Sequence, residues 1–190
     1  MVYNRYLALN YIEKYAENPN INRYPYYEKD DCANFISQVL HAGGMAELGS
    51  RWDSYSSWFC HTNKETDLKK VSITWRAARY FRKHWGNENG VGFNRAKKFY
   101  TMTVSQAMQS YPDLYHLLQT GDVIQYGKPQ NQNLPYHTQV IYKKGYNQAL
   151  GKNDIFIAQH TKNLIGASLY EYLARQTDKD FKKIYVYIIQ

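Results

Sequence analysis

A chain of 190 residues with 44% apolar and 21% charged residues fits one globular domain spanning 1–190 with a sizeable core, which excludes a disordered chain. No stretch approaches the ~18 consecutive apolar residues of a membrane span, and the start M-V-Y-N-R-Y-L lacks the apolar core of a signal peptide. The net charge of +8 attracts polyanions, yet the basic residues are spread thinly apart from a run around Lys69 to Lys83, and no nucleic-acid motif is present. Nucleic acid is therefore not an expected partner.

Taken in order, Leu7, Tyr11, Ile12 and Tyr15 recur at helical spacing between Tyr3 and Glu17, and Asn18-Pro19-Asn20 stops that helix. A Tyr- and Pro-rich loop over 22–29 leads to Asp30-Asp31-Cys32. Phe35, Ile36, Val39 and Leu40 fall three, four, seven and eight positions after Cys32, one helical face, with Asp30 or Asp31 as the cap and Gly43-Gly44 as the stop. A long, weakly patterned region runs from Met45 to Val71 and carries Trp58 and Cys60. The spacing predicts one basic amphipathic helix over 72–85, a Gly- and Asn-rich break over 87–92, and helix over 104–118 divided by Pro112. Short segments rich in Val, Ile, Tyr and Phe at 123–126, 138–143, 154–159, 168–172 and 183–189 predict an antiparallel sheet. Helices first and strands afterwards make an α+β domain.

The chemistry centres on Cys32. A thiol in the first turn of a helix meets unpaired backbone N–H groups and the positive end of the helix dipole, which favour the nucleophilic thiolate. The competing reading is a plain core cysteine, since Cys32 shares its face with apolar residues. The base is sought in the sheet, where His137 opens the strand H-T-Q-V-I-Y and the strand D-I-F-I-A-Q-H ends at His160. A turn near 146–150 sets the start of one strand beside the end of the other, so His137 neighbours Gln159 or His160, and a one-residue register choice decides which. His160 is the favoured orienting residue for His137, with Gln159 as runner-up and candidate oxyanion donor. The histidines are scattered, and no metal-ligand spacing occurs, so neither metal nor organic cofactor is expected. The chain holds two cysteines, Cys32 and Cys60; a nucleophilic Cys32 stays reduced and leaves Cys60 outside a disulfide.

D-C-A-N-F-I-S-Q-V-L-H-A-G-G, with S-S-W, G-D-V-I-Q-Y, H-T-Q-V-I-Y and A-Q-H-T following in order, resembles the putative amidase domain family, a bacterial relative of the NlpC/P60 and CHAP cysteine peptidases. The resemblance covers nearly the whole chain. It implies a papain-like fold and a Cys-His-polar site in the chain order Cys32, His137 and then Gln159 or His160. It also implies a carboxylate at Asp31 that meets a substrate amine, against simple helix capping, and a tryptophan, Trp58, in the cleft wall, against a structural role. The implied activity is hydrolysis of an amide in bacterial cell-wall (peptidoglycan) peptides by a secreted or wall-associated protein, with anionic wall polymers as partners for the positive charge. The alternatives are a non-catalytic module that binds wall glycan or peptide on the same scaffold, and the same chemistry serving an antibacterial toxin or an acyl transferase.

Overall fold

The computed structural model describes residues 2–86 and 95–190. The N-terminal half is helical: α1 (Arg5–Tyr15), α2 (Cys32–Ala42), α3 (Ile73–Arg76) and α4 (Ala78–Trp85). Asn4 caps α1 by accepting from the Tyr6 and Leu7 N–H groups at 3.1 Å. Every residue of α2 from Cys32 to Leu40 is buried, so this helix runs through the interior and is covered all round. It ends at Gly43-Gly44, where Gly44 takes the left-handed φ of +98° that favours glycine.

The C-terminal half holds β1 (Lys98–Thr103), α5 (Val104–Gln109), α6 (Tyr111–Leu117), β2 (Val123–Lys128), β3 (Leu134–Asn147), β4 (Lys152–Gln159), β5 (Leu164–Ser168), α7 (Leu169–Ala174) and β6 (Lys183–Ile188). The six strands form one antiparallel sheet in the order β1-β6-β2-β3-β4-β5. Alternation along the strands divides their side chains between two cores. Val123, Val140, Ala158, Tyr185 and Tyr187 meet α1 to α4 through Ile12, Phe35, Ile36, Val39, Leu40, Trp75 and Phe81. Ile124, Tyr126, Ile141, Ile155, Ile157 and Val186 meet α5 to α7 through Val104, Leu114, Leu169 and Leu173 on the opposite face. With both faces covered, β2 and β6 are buried at consecutive residues instead of alternating. Among the described residues no helix is long and apolar enough to cross a membrane.

The α+β class and the sheet stand as expected, with three local differences. The helix over 72–85 is broken at Ala77, whose φ of −127° and ψ of 125° are extended. The segment 168–172 is the end of β5 followed by α7, because the Ser168 side chain accepts from the Glu171 N–H and starts a helix there. Strand β1 carries no pattern that announced it, with half-buried side chains in place of clean alternation. The division of 104–118 does occur, and Pro112 sits in the first turn of α6, where its missing N–H costs no hydrogen bond. The 45–71 region is tied down by isolated bridges, Leu48 to Trp58 and Cys60 to Val71. The break expected over 87–92 lies outside the described residues.

One ion pair fastens the chain's two ends to the middle. Arg5 donates to Asp122 Oδ1 at 2.9 Å, to the Thr120 carbonyl at 2.6 Å and to the Ile189 carbonyl at 2.8 Å, while Asp122 accepts the Ile189 and Gln119 N–H groups. Removing the guanidinium leaves a buried carboxylate without its counter-charge, so Arg5→Ala lowers unfolding free energy by about 2–4 kcal/mol in urea titration.

A second expectation concerns acid. Buried His84 donates Nδ1–H to the Tyr55 carbonyl at 2.8 Å and presents Nε2 to the Arg95 guanidinium at 3.3 Å, an arrangement of the neutral ring. Burial lowers its pKa to about 4. Its folded value lies below the unfolded one, so its contribution is full above pH ~6.5 and is lost as pH falls toward 4, a loss of roughly 2–3 kcal/mol. Urea titrations at pH 7 and pH 4 show a smaller difference in His84→Gln than in the parent chain.

Candidate active site

The site is built where α2 begins against β3 and β4. Asp31 stands at the N-cap of α2, yet its side chain makes no capping bond to the helix backbone, and exposed Asp30 makes none either. The Asp31 carboxylate is engaged elsewhere. Oδ1 accepts the Tyr27 N–H at 2.9 Å and Asn34 Nδ2–H at 2.8 Å, and Oδ2 meets His160 Nδ1 at 2.5 Å. A side-chain cap is thus absent, and the N-terminal turn of α2 keeps its free backbone donors.

Cys32, the first residue of α2, is 6% exposed and lines a cleft of about 650 Å³. The cleft is walled by the 27–30 loop, the α3–α4 junction and the start of β3. The Thr138 backbone and hydroxyl and the Ala33 backbone lie near the sulfur and favour its anionic form. Burial outweighs these donors and pushes the thiol up to about 11, so at neutral pH it is protonated. This differs from the thiolate expected at a helix N-terminus. The dipole contributes about 0.3–1 kcal/mol and up to ~2, whereas a rise from 9.0 to about 11 corresponds to roughly 3 kcal/mol in the other direction.

His137 precedes Thr138 on β3. Its ring lies between Tyr126 and Tyr172, with centroids 6.2 Å and 6.4 Å away. Its Nε2 is 2.8 Å from Gln159 Oε1. The orientation of that amide is fixed on both sides: Gln159 Oε1 also accepts from Gln139 Nε2 at 2.7 Å, and Gln159 Nε2 donates to the Lys162 carbonyl at 3.1 Å. An oxygen acceptor at Nε2 assigns the ring proton to that nitrogen and leaves the lone pair on Nδ1. Burial lowers the His137 pKa below its ordinary value, which keeps the imidazole neutral at pH 7 with its Nδ1 lone pair available.

The favoured partner for His137 is corrected here. Val140 opposes Ala158, and carrying that register toward the start of β3 sets Gln139 opposite Gln159 and Thr138 opposite His160. His137, two residues from Gln139, shares the face of Gln159, while His160 points to the α2 side. There His160 stacks on Phe35 with centroids 4.0 Å apart, and its Nε2 donates to the Tyr15 carbonyl at 2.9 Å. Both ring nitrogens of His160 face oxygen acceptors, so neither offers a lone pair to a thiol. Its place is structural. Asp31, paired with it, belongs to the same fastening and is 1% exposed, which leaves no room for a substrate amine on its carboxylate.

Trp58 is corrected as well. It is fully buried, donates Nε1–H to Ser37 Oγ at 3.1 Å and packs on Trp75, so it belongs to the core and not to the cleft wall. Cys60 is a free thiol within reach of the Thr62 carbonyl, and burial pushes it up to about 12. Cys32 is free too, so no disulfide joins the two. Among the described residues no cluster of three or more His, Cys, Asp or Glu side chains is placed to hold a metal ion. The residues missed from sequence are Thr138 and Gln139. Their signal was their place in H-T-Q, where alternation assigns one to the sulfur and the other to the His137 face.

Comparison with known proteins adds the family. The putative amidase domain matches residues 2–188. The chain is 27% identical over 190 residues to the uncharacterized protein YjcM of Bacillus subtilis, covering 97% of this chain and 36% of that protein. The chain thus spans about a third of that relative's length. No solved structure matches.

The Asp31–His160 fastening generates a test of its own. Asp31→Ala and His160→Ala each lower stability by about 3 kcal/mol, because each leaves a buried polar partner unpaired. A double-mutant cycle read by urea unfolding gives a coupling of about 1–3 kcal/mol.

Proposed function

This chain belongs to the putative amidase domain family, and from that premise we propose that it is a cysteine-dependent amide hydrolase acting on bacterial cell-wall peptides. Cys32 is the nucleophile, His137 the general acid and base, and Gln159 the residue that positions His137. The observation that carries the reading is the His137–Gln159 bond. It leaves Nδ1 as the proton-accepting nitrogen of a ring one residue along β3 from Thr138, which lies near the Cys32 sulfur; alternation turns these two side chains to opposite faces, so the reading requires the His137 ring to reach the sulfur around the edge of the sheet.

With both groups neutral at rest, proton transfer accompanies attack. Cys32 Sγ forms a bond to the substrate carbonyl carbon while its proton passes to His137 Nδ1. The carbonyl oxygen becomes an oxyanion and is met by the free N–H groups of the first turn of α2. Collapse breaks the C–N bond, and the amine leaves with the proton from His137. Water, deprotonated by the same Nδ1, then cleaves the thioester and restores the thiol. Gln159 stabilises the imidazolium formed in both halves through its Oε1 and keeps the ring from turning.

A cysteine at a buried helix N-terminus, followed along the chain by a histidine and a polar residue on adjacent antiparallel strands, supports a papain-like arrangement of the NlpC/P60 and CHAP kind. The excess of positive charge suits a substrate embedded in anionic wall polymers.

Alkylation of Cys32 by iodoacetamide between pH 4 and 9 tests the pair. In the parent chain the rate rises as His137 becomes neutral, below pH ~6.5, and then levels off. A solitary thiol at about 11 instead climbs about tenfold per pH unit through the whole range. His137→Ala loses the plateau and reacts about 10²–10⁴ times more slowly at pH 7; Gln159→Ala falls between. A rate that climbs log-linearly to pH 9 in parent and His137→Ala alike rejects the pair. Amine release from peptidoglycan fragments, absent in Cys32→Ala, tests the substrate.

A further inference from the structure

The cleft that Cys32 lines contains two groups whose bonding is incomplete. The Tyr27 side chain borders the cleft, while its hydroxyl is shut off from solvent and has no hydrogen-bond partner among the described residues. A buried hydroxyl left unpaired costs about 1–3 kcal/mol, so its persistence calls for a partner that arrives later. Burial pushes this hydroxyl up to about 12 while the positive charge of Arg76 pulls the other way, which places the guanidinium near it.

Arg76 is the second group. It is half-buried at the end of α3 and lines the same cleft. Its Nε reaches the Val71 carbonyl at 3.5 Å, a weak bond, and it forms no ion pair with a described carboxylate. Its terminal nitrogens therefore remain a planar fork of N–H donors. Arg79, exposed on the rim and stacked on Tyr80 with 4.5 Å to the ring centroid, adds a second positive charge. Glu28 and Asp30 also border the cleft but are exposed, where solvent and salt screen them. Leu68 and Tyr136 supply apolar walls.

We infer that this site takes substrates bearing a free carboxylate beside the scissile amide, bound by the Arg76 fork with the Tyr27 hydroxyl donating to the same group. The guanidinium only donates and the hydroxyl carries a proton to donate, so an acceptor group satisfies both, and a carboxylate does so while neutralising the charge. A backbone amide oxygen can accept from both but carries no charge to offset the guanidinium. The inference deepens the hydrolase reading and rests on it for the identity of the reacting bond, but the carboxylate preference is measurable without turnover.

Two alkylating agents of nearly equal size differ in this charge alone: iodoacetate carries the carboxylate and iodoacetamide carries its neutral amide. The ratio of their rates at Cys32 at low salt, read by peptide mass spectrometry and normalised to the same ratio for free cysteine, is about tenfold or more in favour of iodoacetate in the parent chain. Arg76→Gln returns the ratio to that of free cysteine, and Tyr27→Phe reduces it part of the way. A parent ratio equal to that of free cysteine overturns the inference.

Calorimetric titration of the Cys32→Ala variant with acetyl-alanyl-alanine, against the same peptide amidated at its C-terminus, reads the site without the thiol. Tighter binding of the free acid by about tenfold, lost in Arg76→Gln, supports the carboxylate site even if no amide is hydrolysed. Equal binding of acid and amide rejects it even if Cys32 and His137 prove to be an active pair.

Discussion

The site depends on one buried fastening, the contact of the Asp31 carboxylate with His160. Asp31 immediately precedes the nucleophile candidate, and His160 immediately follows the glutamine that orients His137. Through Tyr27, Asn34 and Tyr15 the pair also gathers the approach loop, the first turn of α2 and the C-terminal end of α1. The electrostatics agree at each end. A carboxylate lies at the positive terminus of α2, and an imidazole N–H satisfies one of the carbonyls left open at the end of α1. An interior carboxylate is unfavourable by itself, and here its oxygens accept from Tyr27, Asn34 and His160. The consequence is positional: the start of α2 cannot drift along β4, so the thiol is held against β3.

That placement carries an electrostatic cost which shapes the chemistry. Burying Cys32 suppresses the thiolate to about one part in ten thousand at pH 7. Burial likewise disfavours the His137 imidazolium. Separating charge between the two is unfavourable until something stabilises the cation, and Gln159 Oε1 is the group in contact with it. The bonds that lock Gln159, from Gln139 and to the Lys162 carbonyl, fix the orientation of its amide dipole in advance, so little reorganisation is needed as charge develops. Tyr126 extends the chain by donating to Gln139 Oε1 at 2.6 Å.

Much of this was legible in the sequence, and the exceptions have physical causes. Period-3.6 spacing after Cys32 announced α2 because the helix buries that face, and runs of Val, Ile and Tyr announced β2, β3, β4 and β6. The partner of His137 was not decidable, because a shift of one residue exchanges Gln159 for His160 and nothing local in A-Q-H-T fixes the register. It is fixed at a distance, by Asp31 drawing His160 to the α2 face. Trp58 illustrates the reverse error: an aromatic residue in a long loop looks available to a ligand, but bridges at either side of it, to Leu48 and between Cys60 and Val71, fold the loop over its own tryptophan. The protonated thiol was also out of reach. A helix N-terminus is visible in sequence, whereas the completeness of burial that overrides it is a property of the assembled layers.

The break at Ala77 shows how a small departure from a sequence pattern determines the character of the cleft. In one continuous helix Arg76, Arg79, Arg82 and Lys83 would form a solvated basic face, the reading that their spacing invites. The extended residue at Ala77 rotates the two short helices apart. Arg82 then lies over the Tyr185 ring at 4.1 Å, while the α3–α4 junction, with Arg76 and Arg79, becomes a wall of the Cys32 cleft. The break is held from below. Gln125, on the α2 face of the sheet, donates to the Ala78 carbonyl at 2.9 Å and to Thr138 Oγ1 at the same distance. Thr138 in turn lies near the Cys32 sulfur. One buried glutamine thus links the strand that carries His137, the hydroxyl beside Cys32 and the junction that carries the cleft's positive charge, so the candidate site and the cleft wall are set by the same sheet.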